Sequence, residues 1–525
     1  MKLIFKISLV LSVIVMASCS EDFLDRPPED AIVVDNFYTN VEQLRLATGG
    51  LYNTPWFDYN DKVNFSVGDG AAGNFLSNDP AMRQFSVFAA TNSDPRVGEA
   101  WRSMYIVIGQ ANNVMSSINT RAPESISEED KKAAIAEARF MRGYAYHYLG
   151  MLFGEVPIIE NNVELISNPI IPKNKVSDVF QIAINDMEYA AENLKEVDEQ
   201  EGRVTQWSAK GMLARLYLYR SGLNGNGSRN QADLDMARMY AEDVIQNSGL
   251  PLMNNYADLF LLENNNNPES LFALQWVDNQ TGWGQQNTHQ AYFAPEAKVT
   301  GVGDGWGGGN GATPNMQSLY TPEDERRQPT FMYKGDFYPE LVTKDGGYLY
   351  EAESFAGSAV KKYVIGRPED NDGAVAFMST GINTYMLRLS EVYLIAAEAI
   401  LGNAASTSDA DALSYINTVR NRAGLSDLSS FTLVDVINEK RLEFAMEGRS
   451  WFDLIAWSYF APEEAMNYIE NQNRGNFEWE EGEKTVVDLF VDMSIDDFNL
   501  PYPEAEIANN PLLLEEAVDY DFSNE

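Results

Sequence analysis

The stretch YMLRLSEVYLIAAEAIL, Tyr385 to Leu401, decides the fold. Within it Leu389, Val392, Tyr393, Ala396 and Ile400 recur at intervals of three and four residues, which gives a helix one continuous apolar face. Two more helices follow, at about 408–423 and 432–458. Working back toward the N-terminus, helical signals cover 37–53, 98–119, 127–153, 175–196, 205–221 and 232–248, each bounded by Pro, Gly or Asn clusters. Small residues share faces with aromatics, as in Trp207, Gly211, Ala214 and Leu218, or Ala136, Phe140, Gly143 and His147. Small positions let neighbouring helices approach and aromatic rings fill the gaps, so the pattern predicts stacked helix hairpins although no strict 34-residue period runs through it.

Two segments break the helical pattern. Residues 54–97 and 250–383 are rich in Gly, Asn, Pro and aromatic side chains, with GVGDGWGGGNG at Gly301 to Gly311. Both read as loop-rich insertions on a helical scaffold, which is where binding sites usually sit. The expected fold is therefore mainly α, with one domain over 35–525.

The N-terminus reads as a targeting signal. Lys2 and Lys6 precede an apolar run from Ile7 to Ala17, too short for the roughly 20 residues a membrane-spanning helix needs. The run ends in Ala17, Ser18 and Cys19, a lipobox, so residues 1–18 read as a lipoprotein signal peptide. Cys19, the single cysteine of the chain, is then the lipid attachment site and anchors the protein to the membrane. Residues 19–34, with Pro27 and Pro28, read as a tether. With Cys19 committed to lipid, disulfides, thiolate catalysis and cysteine metal sites are excluded. Removing Lys2 and Lys6 from a chain of formal charge −40 leaves −42, a surface that repels nucleic acid.

Several segments then read together: ARFMRGYAYHYLGMLFGEVPII (Ala138 to Ile159), the helix from Met386 to Ile400, INTVRNRAGL (Ile416 to Leu425), INEKRLEFAMEGRSWFDLIAW (Ile437 to Trp457) and LPYPEAEIANNPLL (Leu500 to Leu513). Together with CSEDFLD at Cys19 to Asp25, they resemble the SusD/RagB family of nutrient-binding outer-membrane lipoproteins. The resemblance implies a scaffold of tetratricopeptide-like helix pairs that acts as a lid on a SusC-like TonB-dependent outer-membrane transporter. It also implies a position facing the cell exterior, with Glu21 and Asp22 looking like the family's surface-export signal. Lys440, Ala456, Glu515 and Glu516 depart from the family's usual residues.

The chemistry of enzymes finds little support. With only His147 and His289, histidine triads and multi-histidine metal sites are nearly excluded, and His147 reads as a packed core residue. Seventy-eight acidic residues make carboxylate pairs inevitable, so none marks a glycosidase. Gly303 to Gly308 fits GxGxxG but is followed by Pro314 where a dinucleotide fold needs a helix, so it reads as a flexible loop. Glu369, Asp370 and Asp372 lack EF-hand order and read as an acidic loop without metal. No cofactor is implied. On the helix from Ile437, Arg441 falls on an apolar stripe and calls for a carboxylate partner, Glu439, Glu443 or Glu447, while Arg449 and Asp453 have helix ion-pair spacing.

What remains is the aromatic content of the two insertions: Trp56, Phe57, Tyr59 and Phe75 in the first, Trp276, Trp283, Tyr292, Phe293 and Trp306 in the second. Aromatic rings stack on the C–H faces of sugars, and amides supply hydrogen bonds. The candidate ligand-binding residues are Asn74, Phe75, Trp283, Tyr292 and Trp306, with Asn287 and Gln290 as further polar contacts; no residue reads as catalytic. The expected ligand is a nutrient glycan, an oligosaccharide or polysaccharide; a peptide on the same scaffold is the nearer alternative and a surface glycoside hydrolase the more distant one.

Overall fold

A computed structural model describes residues 37–278 and 283–524; the signal peptide, Cys19 and the tether lie outside them. The scaffold is a run of helices: α1 (Val41–Gly49), α2 (Pro95–Arg121), α3 (Glu128–Phe153), α4 (Val176–Asn193), α5 (Gln206–Arg220), α6 (Gln231–Asn247), α7 (Leu389–Leu401) and α8 (Ala410–Arg422). From α2 to α8 each packs on the next. Their starts follow from capping side chains: Asp94 before Pro95 for α2, Ser127 for α3, Asn230 for α6 and Asp409 for α8. Close approach rests on glycine. A Cβ on Gly143 would lie 2.9 Å from Asp186 Cβ and 3.0 Å from Ala183 O on α4, and one on Gly211 would lie 2.9 Å from Leu387 Cδ2.

The stretch that decides the fold is only partly helical. Tyr385 to Arg388 belong to a strand, β2 (Thr384–Arg388), paired antiparallel with β1 (Ser270–Leu274), and α7 begins at Leu389. The strand wins these residues because all five side chains are buried and both faces find partners. Three further helices follow, α9 (Leu433–Phe444), α10 (Ser450–Ser458) and α11 (Pro462–Glu470), ahead of a strand pair at Asn476–Glu480 and Glu483–Val487 and a short helix at Glu504–Asn509. The break between α9 and α10 falls at Met446, whose φ is +66°, and Gly448, whose φ is +73°.

The two loop-rich segments differ in kind. Residues 55–76 are irregular, with π-helical turns at Tyr59–Val63 and Ser66–Ala71, yet almost wholly buried. The larger segment holds short antiparallel strand pairs and has its own apolar core around Phe65, Phe293, Phe331, Tyr350 and Tyr363.

A buried charge network clamps that segment to the helices. Arg388 donates to Glu269 at 2.5 Å, to Glu443 at 2.9 Å and to Glu447 at 2.7 Å. Arg422 bonds Glu269 and Glu443; Arg326 pairs with Asp324, Glu439 and Glu443; Lys362 pairs with Glu447. Burial opposes the charge on Glu443, but the guanidiniums of Arg422, Arg388 and Arg326 hold it well below the usual carboxylate range. The acids expected to pair with Arg441 are thus taken by other cations. Arg441 is instead held by neutral groups, Asn74 Oδ1 at 2.8 Å, Tyr468 OH at 2.7 Å, Asn315 Oδ1 at 3.0 Å and Gly73 O at 3.3 Å. Arg449 pairs with Glu391, not with Asp453, which is held by Lys440. In both cases the tertiary neighbour outcompetes the helical one.

Removing one member of such a network strands the rest. Arg388→Met is expected to cost about 3–5 kcal/mol, read as a lower urea midpoint or as loss of folded protein; a loss under about 1 kcal/mol would contradict the clamp.

Both histidines are buried. His147 stacks on Tyr219 at 5.7 Å, and burial, then Arg215 and Arg449, push it well below its ordinary range. His289 has Nε2 2.7 Å from Asn60 O, and burial lowers it to about 4 from 6.5. A base whose folded pKa is depressed stays neutral in the fold and gains its proton on unfolding. The stability it contributes is complete above about pH 6.5 and is lost as pH falls toward 4. Stability measured at pH 7, 6 and 5 is therefore expected to fall less steeply for His289→Gln than for the unaltered chain, and equal slopes would refute this.

Candidate ligand-binding site

The candidates separate by depth. Asn74 is fully buried: its amide donates to Asp69 at 3.1 Å and Ser450 at 2.8 Å while its oxygen accepts from Arg441. Phe75 is buried against Phe65, 5.5 Å away, and Phe293. Neither offers a surface to a ligand, because residues 55–76 of the first insertion are core. Asn287 and Gln290 are also spent: Asn287 bonds Ile382 O and Thr384, and Gln290 bonds the backbone at Gly366 and Ile365. Trp56 and Tyr59 are core as well.

Trp283 and Trp306 stand out, at 63% and 50% exposed. The chain has nine tryptophans, and the other seven are buried or half-buried. Trp283 meets Phe57 edge to face at 5.2 Å, and Phe57 in turn meets Trp276 at 6.3 Å. Trp306 lies 5.8 Å from Tyr292 and 5.7 Å from Phe377, which is 56% exposed. Tyr292 is itself buried beneath Trp306, with Lys62 Nζ 5.0 Å from its ring. Each exposed indole is thus rooted on a hidden ring.

The roots converge on one short piece of chain. Phe57 supports Trp283. Four residues later, Asp61 accepts from Thr288 at 2.7 Å and lies beside Tyr292, which supports Trp306. Burial raises Asp61, against the pull of Thr288, Lys62 and Tyr292, and burial followed by Asp61 raises Tyr292, which keeps its phenol proton. Burial also raises Glu99 on α2, beside Arg96 and Asp61.

The Gly-rich run is what sets Trp306 in place, and it is packed, not flexible. Trp306 N donates to Ala291 O at 2.7 Å and Gly307 N to Ala294 O at 2.8 Å. A Cβ on Gly307 would lie 2.2 Å from Phe293 O, and one on Gly305, at φ +106°, would lie 2.7 Å from Glu296. Only glycine allows this approach. Phe377 escaped the sequence reading. It sits beside Met378, φ +51°, in the two-residue turn between Val375–Ala376 and Ser379–Thr380, and an aromatic at a hairpin tip is the signal that was available.

Asp370, in the acidic loop, accepts from Val342 N, Thr343 N and Arg367 N. Among the described residues no group of three or more His, Cys, Asp or Glu side chains converges as a metal site, and no helix is long and apolar enough to cross a membrane.

A model of the SusD family matches residues 268–518, and one described as starch-binding associating with outer membrane matches 22–218. A SusD-like protein of Bacteroides ovatus is 42% identical over 97% of both chains. A crystal structure with xylogluco-oligosaccharide is 41% identical, with a TM-score of 0.85, covering 91% of this chain and 99% of that one. The starch-binding protein SusD of Bacteroides thetaiotaomicron is 24% identical over 64% of this chain and 66% of its own. A helical scaffold with this identity along nearly its full length places the chain in the SusD family.

Proposed function

We propose that the chain is a non-catalytic surface lipoprotein that captures a glycan on the platform of Trp283, Trp306 and Phe377 and passes it to a TonB-dependent outer-membrane transporter. The observation that carries this reading is the pair of exposed indoles rooted on buried rings. An exposed indole forgoes burial, and its ring contacts fix its orientation before any ligand arrives, so stacking on a sugar face costs little further ordering. Lys62 and Asp61 lie beside Tyr292, partly exposed, and supply charged hydrogen-bond partners for hydroxyls. The 41% identical relative solved with xylogluco-oligosaccharide makes xyloglucan the first glycan to test. Weak capture suffices where a polymer engages many copies of the protein.

Affinity gel electrophoresis of the chain from Ser20 onward, in gels with and without xyloglucan, is expected to show retardation without depolymerisation. Trp283→Ala and Trp306→Ala are each expected to weaken binding at least about tenfold, the cost of one lost stacking ring. Retardation unchanged in both variants would remove the platform reading. No retardation by any of a panel of neutral and acidic glycans would turn the search to peptides, and depolymerisation would favour a hydrolase.

Anchoring has its own test. Cys19→Ser is expected to shift the protein from the outer-membrane fraction to a soluble one, and unchanged fractionation would refute lipid attachment at Cys19.

A further inference from the structure

At the C-terminal end of the fold, α9, α11 and the short helix Pro314–Leu319 line a solvent-open cavity of about 560 Å³. None of the platform residues lines it. Its walls are built by helical spacing. α9 contributes Asn438 and Arg441; Asn467 on α11 and Asn471 just beyond it stand one turn apart, and Asn315 faces them from the short helix. The deeper wall is Trp457 and Gln472, both buried.

Three features set this cavity apart from a packing fault. First, it concentrates planar amides, with Asn315 and Asn438 half-buried in its wall and Asn467 and Asn471 exposed at its rim. Second, two buried donors of its wall, Trp457 Nε1 and Gln472 Nε2, have no hydrogen-bond partner, a state that costs on the order of 1–3 kcal/mol for each unpaired group. Third, Arg441 brings a guanidinium whose bonds are all to neutral groups, Tyr468 OH among them, while Glu464 brings a carboxylate to the rim. One positive and one negative group leave the lining without net charge.

A ligand matched to such a lining is neutral and carries groups that donate and accept in several directions, with an apolar face for the Trp457 and Tyr468 rings, which lie 5.4 Å apart. A sugar ring has all three properties. An apolar ligand would strand the amides, and a highly charged one would lack a counter-charge. We infer that this cavity is a second saccharide site, for one neutral sugar unit, separate from the aromatic platform. It shares with the platform reading only the class of ligand.

The test uses saturation-transfer NMR with xylogluco-oligosaccharide and, separately, cellobiose as probes, on the chain from Ser20 onward. The Trp283→Ala/Trp306→Ala protein removes the platform, and transfer to at least one probe is expected to persist in it. Adding Asn467→Ala and Asn471→Ala, two exposed positions whose change leaves the core intact, is expected to weaken that residual binding about tenfold. Loss of all transfer in the platform variant at unchanged melting temperature would overturn the inference, as would residual transfer indifferent to the two asparagine changes. The platform reading fails by a different sign, retardation in xyloglucan gels that survives loss of both tryptophans.

Discussion

The bond set around Arg388 is the constraint on which the rest of this structure depends. Its guanidinium sits at the end of β2, where the chain passes from sheet to α7, and reaches Glu269 before β1, Glu443 at the end of α9 and Glu447 beyond it. Arg422, Arg326 and Lys362 close the network from α8 and from two points of the large insertion. Each of these groups is too buried to be solvated by water, so each is tolerable only in the presence of the others. The network therefore acts as a register mark: helices and insertion fit together in the arrangement that pairs every charge.

That clamp explains how a segment so rich in glycine and asparagine presents a defined surface. The insertion is fastened by ions at Arg326 and Lys362 and by its own aromatic core, with Trp283, Trp306 and Phe377 among its exposed rings on a firm base. Glycine, which elsewhere loosens a chain, here tightens it, since Gly305 and Gly307 let the backbone beneath Trp306 lie directly on residues 291–297. Stiffness of this kind is what a weak, stacking-based site needs, because ordering a loop on binding would consume the small free energy that stacking provides.

The cavity between α9 and α11 follows from the same competition for partners. Once Glu439, Glu443 and Glu447 are committed to other cations, Arg441 is left to amides and a phenol, and the asparagines around it face open space. The helix α9 thus has two faces, one clamped by ions and one available to a neutral polar ligand.

The sequence by itself determined the helical scaffold, because three- and four-residue apolar spacing and capping residues such as Asp94 and Ser127 act within a single turn of chain. It also determined family membership, through motifs spread from Ala138 to Leu513. Tertiary structure alone decided the rest. It pulled Tyr385 to Arg388 out of the helix into β2, because strand pairing with residues 270–274 is a contact no local pattern records. It buried Asn74 and Phe75, whose loop-like composition gave no sign that Arg441, Ser450 and Phe293 would close over them. And it seated Trp283 on Phe57 and Trp306 on Tyr292, because what a long insertion folds back onto depends on distant partners and their burial, not on its own composition.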